Sequence, residues 1–301
     1  MFKGLGKGFL LLIITNILVM TMASIVLSLL QSLGLIPAGY LGASAISCLV
    51  YGFGFSFLSL FMSKFMAKWM TKAKVIEPGS AGEYEWLVNM VHMQAKAANL
   101  PKMPEVAIYP SPEMNAFATG PSKSNSLVAF SSGILQAMNR DEVEGVSAHE
   151  IAHIANGDML AMTLLQGLAN AFVFFISRMV ANVVANRFDN SMARMGVYMG
   201  VSILAQIVFM MLASIPLSWF SRKREFRADA GSAKIAGREK MIAALKAIDR
   251  FKDRKIEDDH RIPEAVAALA INNGRQSKWM SFFASHPPIA ERIERLTTMA
   301  Q

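Results

Sequence analysis

Four apolar stretches interrupt the chain, and their lengths set its class. The first runs from about Phe9 to Leu30 and the second from about Pro37 to Met62, both without a charge. The third runs from about Met159 to Ile176 and continues toward Val184 past Arg178. The fourth runs from about Gly196 to Phe220. A bilayer-crossing helix takes about 20 apolar residues, so the pattern predicts four transmembrane helices. The first is longer than the apolar core of a secretory leader, and no small-residue cleavage site closes it, so it reads as retained. A buried hairpin in a soluble core is the alternative for the third and fourth; their length and near lack of charge argue against it.

The polar segments carry weaker periodicities. Ser80 begins a helix-like run to about Asn99, with Glu83 placed as in a capping box, and Leu100-Pro101 ends it. Glu105–Tyr109, Asn115–Gly120 and Ser126–Phe130 read as short strands separated by turn residues, enough for a small sheet. Ser132 to Met138 reads as a short helix, and Asp141, with Glu144 three residues on, begins another. Asn156-Gly157-Asp158 supplies a stop and then a cap, so that helix ends where the third span starts.

Composition agrees with a membrane protein. Of 301 residues, 53% are hydrophobic and 17% charged, against about 25% charged in soluble domains. Disorder is excluded by the same numbers. The lone Cys48 excludes a disulfide scaffold and a cysteine-built zinc site. The net charge of +8 is explained by placement. Lys3 and Lys7 precede the first span, Lys64, Lys68, Lys72 and Lys74 follow the second, and Arg222, Lys223, Arg224 and Arg227 follow the fourth. The link between spans three and four holds only Arg187, Asp189 and Arg194. The positive-inside rule therefore puts both termini and both large polar segments in the cytoplasm. No aromatic-interleaved basic motif accompanies the charge, so no nucleic-acid partner is expected. The organisation predicted is two membrane helices in residues 1–62, a first cytoplasmic piece in 63–157, two more membrane helices in 158–220, and a second cytoplasmic piece in 221–301. The two pieces lie on one membrane face and can form one domain.

Ala148-His149-Glu150-Ile151-Ala152-His153 carries the chemistry. On a helix, His149 and His153 lie on one face four residues apart and can share a Zn2+, while Glu150 points at a metal-bound water. Random placement of 5 His among 301 residues leaves on the order of 0.004 such matches by chance. A catalytic zinc needs a third protein ligand and an open fourth position. Glu225, just past the fourth span, is a candidate, with Asp229 one turn further on to hold the second nitrogen of a ligating histidine. The plain alternative is that Glu225 and Asp229 balance the arginines around them. His92 and His260 are not expected to bind metal, and the 22 methionines read as lipid-facing or packing residues.

At these residues the chain resembles the HtpX family of bacterial membrane-bound zinc metalloproteases. The resemblance rests on the ordered set of four spans, Asn115-Ala116-Phe117-Ala118-Thr119-Gly120, HEIAH followed by Asn156-Gly157-Asp158, Glu225-Phe226-Arg227-Ala228-Asp229, and Ser285-His286-Pro287-Pro288. That family belongs to the gluzincins and is related to the CAAX prenyl proteases. The resemblance implies one zinc per chain held by His149, His153 and Glu225, with Glu150 as general base and Asp229 supporting a ligand. It implies substrate binding along the edge strand at Asn115, Ala116 and Phe117, by β-augmentation. His286 would steady the tetrahedral intermediate; alternatively it is a loop histidine held by Pro287 and Pro288. The fold class implied is α+β: four transmembrane helices and a mostly helical, zincin-like cytoplasmic domain with a small sheet.

The expected function is an inner-membrane endopeptidase acting on unfolded or misfolded membrane proteins in quality control, with the lipid bilayer as its other partner. Three rivals remain. A membrane scaffold or chaperone would hold structural zinc, closed by a fourth protein ligand. A transporter would place ionisable or broken segments at mid-membrane, and the spans offer almost none beyond Pro216. A protease limited to prenylated CAAX peptides would have more spans than this chain.

Overall fold

The computed structural model describes residues 40–258 and 286–299, with side chains described over 46–251 and 286–299. The expected first span, Phe9 to Leu30, lies outside the described residues. Within them, three helices are long and apolar enough to cross a membrane: Ile46–Thr71, Asp158–Ala185 and Ser191–Ala236. The first belongs to α1, Tyr40–Thr71. The described residues fall into two compact units, one holding 40–60 and 161–217, the other 61–160, 218–258 and 286–299.

The first unit is held by close helix contact. A Cβ added at Gly52 of α1 would lie 2.5 Å from the backbone nitrogen of Ala171 and 2.6 Å from the carbonyl oxygen of Gly167. Small residues let two backbones approach where no hydrophobic effect drives association. The buried Asn170 donates to Ser56 Oγ at 3.5 Å, and Ser56 donates to Gly52 O, so polar atoms in this contact are paired. Met199, Ile203, Leu204, Ile207, Val208, Met211 and Leu212 of the long helix are exposed. An apolar surface of this kind in water marks lipid or partner contact.

The second unit is built on a four-stranded sheet in the order β1-β2-β4-β3. The strands are β1, Lys74–Ile76; β2, Glu105–Tyr109; β3, Ala116–Ser122; and β4, Asn125–Ser131. β2 and β4 run parallel, while β1 on β2 and β3 on β4 run antiparallel, leaving β3 at one edge. Side chains alternate across a sheet, so Val106, Val128 and Phe130 enter the main core while Ala107, Tyr109, Leu127 and Ala129 face Ala67, Ala73 and Phe117. β1 escaped the sequence pattern because it is three residues long and mostly exposed.

The helices of this unit are α2, Glu85–Ala97; α3, Ser132–Ala137; α4, Arg140–Asn156; α7, Arg238–Asp258; and α8, Ile289–Thr298. Between α4 and α7 lie α5, Asp158–Ala185, and α6, Ser191–Ala236, whose far end enters the second unit. Three boundaries differ from the sequence reading. α2 is not capped by Ser80 and Glu83: a 3-10 turn over Gly82–Tyr84 precedes it, and the Glu85 carboxylate accepts from the N–H groups of Gly79 and Ala81 instead. α4 starts at Arg140 under a capping box made by Asn139 and Glu142, not by Asp141 and Glu144. The fourth apolar stretch ends near Phe220 as read, but its helix does not: it runs on unbroken through Glu225 and Asp229 to Ala236. The stop at Asn156-Gly157-Asp158 is as read: Gly157 sits at φ 72°, a left-handed conformation glycine adopts without strain, and α5 begins at once.

α4 lies in the main core through Val143, Val146, Ile151 and Ile154. At Gly145 it meets two other helices: Ser232 Oγ of α6 donates to its carbonyl at 3.0 Å, and an added Cβ would lie 2.4 Å from the Lys240 carbonyl oxygen of α7. Gly145→Ala is therefore expected to destabilise this unit by about 1–3 kcal/mol, the usual cost of overpacking. A lowered melting temperature of the detergent-solubilised protein checks it; an unchanged one would mean that α7 moves away freely.

Candidate active site

One turn of α4 separates His149 and His153, and their Nε2 atoms face each other at 3.1 Å. Glu225 of α6 closes the triangle. Its Oε2 is 3.5 Å from His149 Nε2 and its Oε1 is 3.4 Å from His153 Nε2. Atoms shared by a tetrahedral zinc with arms of about 2.0–2.1 Å lie about 3.3 Å apart. These three residues therefore fit a single ion, and all their candidate ligand atoms lie within 4.8 Å of one another. Among the described residues, this is the group whose metal-binding atoms converge.

Each of the other imidazole nitrogens lies beside a carboxylate, hydrogen-bonded for His153 and within ion-pair distance for His149. His149 Nδ1 lies 3.0 Å from Asp229 Oδ1, one turn beyond Glu225 on α6. His153 Nδ1 lies 2.7 Å from Asp158 Oδ2, the first residue of α5, whose side chain is 0% exposed. A proton placed on each Nδ1 leaves both Nε2 lone pairs free for a cation. Each carboxylate in turn meets an arginine: Asp158 pairs with Arg227, and Asp229 receives a two-pronged contact from Arg292 of α8, at 2.8 and 2.6 Å. Burial by itself would push both histidines down, but the carboxylates outweigh it. Asp229 and Glu225 raise His149, while Asp158 and Glu225 raise His153 to about 9.

Glu150 points the other way along the helix surface, toward the sheet edge. Its Oε2 accepts the Ala118 backbone N–H of β3 at 2.8 Å. Asn115 O, by contrast, accepts from Ser131 N of β4. Before the register shift that follows Thr119, Ala116 and Ala118 therefore turn their backbone groups to the open edge, and Phe117 and Thr119 to β4. A cleft of about 510 Å³ runs along this edge, lined among others by Asn115, Ala116, His149, Glu150, Glu225 and His286.

The structure thus brings Asn115, Ala116, His149, Glu150 and Glu225 to one cleft, with His153 against Glu225 and Asp229 against His149 behind them. His286 joins them: its side chain is 67% exposed, yet Nδ1 lies 3.0 Å from Glu225 Oε2. Phe117 goes elsewhere. Its ring packs on Tyr109, 5.6 Å between centroids, on the opposite face of the sheet, because its neighbours Ala116 and Ala118 face inward. His92 lies apart, with Nε2 3.2 Å from Pro104 O. Three contributors escaped the sequence reading. Asp158 looked like a cap only; its signal is its place straight after a left-handed Gly157, five residues past His153. Arg292 and the Ala118 N–H carry no local signal, since their partners are 63 and 32 residues away.

With this geometry in place the comparison with known proteins is decisive. Peptidase family M48 matches residues 82–300. The chain belongs to that family. M48 membership makes it a metalloprotease. Over 289 residues it is 48% identical to Protease HtpX of Mannheimia succiniciproducens, covering 96% of this chain and 98% of that protein. A Protease HtpX homolog of Nitrosomonas eutropha is 47% identical over 295 residues, covering 96% and 99%. Among solved structures, the crystal structure of S. mikatae Ste24p matches with TM-score 0.62 at 18% identity, covering 96% of this chain and 66% of that longer one. The M48 fold is thereby shared with Ste24p, beyond the range where sequence identity is informative.

Removing the support of one histidine gives a direct check. Asp158→Ala should lower the affinity for a divalent metal by about 10–100-fold, as loss of such partners typically does, while the protein still folds. Competition against a coloured chelator, alongside a melting curve, measures it; wild-type affinity would assign Asp158 a purely structural part.

Proposed function

We propose that the chain is an integral-membrane zinc endopeptidase that hydrolyses unfolded or misfolded membrane proteins at the cytoplasmic face of the inner membrane. The observation that carries the reading is the hydrogen bond from the Ala118 N–H to Glu150, which joins the metal-facing helix to an open strand edge. His149, His153 and Glu225 would hold the metal, leaving one position open for water. Two imidazole nitrogens and a carboxylate suit zinc among the divalent ions. When bound, zinc supplies a Lewis acid that brings a water pKa to about 7.

The chain's own residues would do the rest. An extended peptide pairs with the outward backbone groups of Ala116 and Ala118 and displaces Glu150 from the Ala118 N–H. Glu150, freed, takes a proton from the attacking water and passes it to the leaving amine. His286, exposed at the cleft rim, would donate a hydrogen bond to the oxyanion. Asp158 and Asp229 keep the two imidazoles in register. Because pairing on β3 requires an extended chain with unsatisfied backbone groups, folded neighbours are poor substrates and unfolded segments good ones. The clustering of lysines and arginines on one side of the spans is the basis for the cytoplasmic orientation.

Glu150→Gln should keep about one zinc per chain and lose roughly 10²–10⁴-fold in the rate of cleaving an unfolded protein, the usual share of general acid–base catalysis. Loss of zinc together with activity, or retention of activity, would reject Glu150 as the base. Metal affinity should also depend on pH. In the metal-free fold the surrounding carboxylates raise both histidines, His153 to about 9, so His153 is protonated at neutral pH. That proton stabilises the metal-free fold at acidic and neutral pH, and the stabilisation fades as pH rises through about 9. Metal must displace it. Apparent affinity should therefore rise from pH 6 to pH 8.5 with protons released on binding, read by calorimetry in buffers of different ionisation enthalpy; a flat profile contradicts this.

A further inference from the structure

The chain's last described helix reaches the metal site by one side chain. Arg292 of α8 is buried, its side chain 10% exposed, and it spends both prongs of its guanidinium on Asp229. A third contact runs from the same group to Glu225 Oε2 at 3.8 Å. Arg292 therefore faces the residue that orients His149 and the residue that completes the ligand triangle. The rest of α8 is held differently. Leu296 packs with Met241 and Leu245 of α7, Ile289 and Ile293 flank them, and Arg295 lies over the Phe226 ring at 3.7 Å.

The charges explain why one arginine matters. Glu225 and Asp229 are one turn apart on α6, and both side chains are 3% exposed. Two buried carboxylates so close repel one another unless countercharge is supplied. A metal ion answers for one of them and Arg292 for the other. The planar fork also fixes both oxygens of Asp229, which a single-point ammonium cannot do.

We propose that Arg292 is a positioning residue of the metal centre and that it couples the docking of α8 to metal occupancy. This rests on the zinc-site reading given above. Metal bound at His149, His153 and Glu225 strengthens the seat of α8, and α8 in its seat raises the affinity for metal by the same factor; the gain in affinity is read as slower metal loss.

The test uses full-length, detergent-solubilised protein loaded with zinc. Metal loss to excess chelator is timed for wild type, Arg292→Lys and Arg292→Ala, and amide exchange over residues 289–298 is compared with and without zinc. The expected result is about 10–100-fold faster loss in Arg292→Ala, a smaller increase in Arg292→Lys, and partial restoration of the alanine variant by millimolar guanidinium. Exchange in α8 should slow on zinc binding in wild type and not in Arg292→Ala. In cleavage assays kcat should fall with KM little changed. Wild-type rates of zinc loss in both variants, or exchange in wild-type α8 that ignores zinc, overturns the proposal. Should Arg292→Ala fail to fold, Arg292→Lys carries the metal-loss comparison and wild type the exchange comparison. A wild-type protein that binds no zinc rejects the zinc-protease reading itself; a wild type that binds and cleaves, with Arg292 variants unaltered, rejects only this inference.

Discussion

Two imidazole nitrogens held 3.1 Å apart, with a buried carboxylate 3.4 and 3.5 Å away, form a crowd of lone pairs that protons or a metal ion must relieve. The rest of the second unit is arranged to sustain that crowding. α4 brings the histidines, the end of α6 brings Glu225 and Asp229, the start of α5 brings Asp158, and α8 brings Arg292. Close contacts at Gly145 and Gly231 keep these helices in register, since a Cβ at Gly231 would meet Ala152 Cβ at 2.7 Å. The site is thus a meeting of elements distant in sequence, each pinned by packing rather than by the metal alone.

Much of this was legible in the sequence, for a definite reason. His149 with His153, and Glu225 with Asp229, are pairs four residues apart, and helical geometry converts that spacing into a shared face. Gly157 was legible because a left-handed stop between two helices admits few other residues. The apolar stretches were legible from length. What failed were features set by tertiary context. The true cap of α4 was two residues earlier than the nearest acidic pair suggested, because Asn139 competes as well as Asp for that role. α6 ran past its apolar part because charged residues continue a helix as readily as leucines do.

Phe117 and Arg292 show the same limit at the level of single residues. A strand motif does not reveal which of its residues face the cleft; that depends on register, and β3's register on β4 turns Phe117 away from the site. Arg292 sits among other charges on a short helix and looks like solvated surface until α8 is placed against α6. Long-range pairs of this kind leave no periodic trace, whereas the apolar helices and the His-His-Glu cluster that could hold a metal do.

The bond between the Ala118 N–H and Glu150 has a consequence for turnover. On the proposed function, strand edge and Glu150 each stand in for the partner a peptide would supply. An arriving peptide would exchange that bond for one of its own, so the number of hydrogen bonds would hardly change and the backbone would contribute little net affinity. A departing product would be replaced by the same internal bond. Such an exchange would keep fragments from lingering on the edge and hold a chain only where several residues pair at once. A long unfolded segment would then be retained and a short fragment let go, with no gate needed to tell them apart.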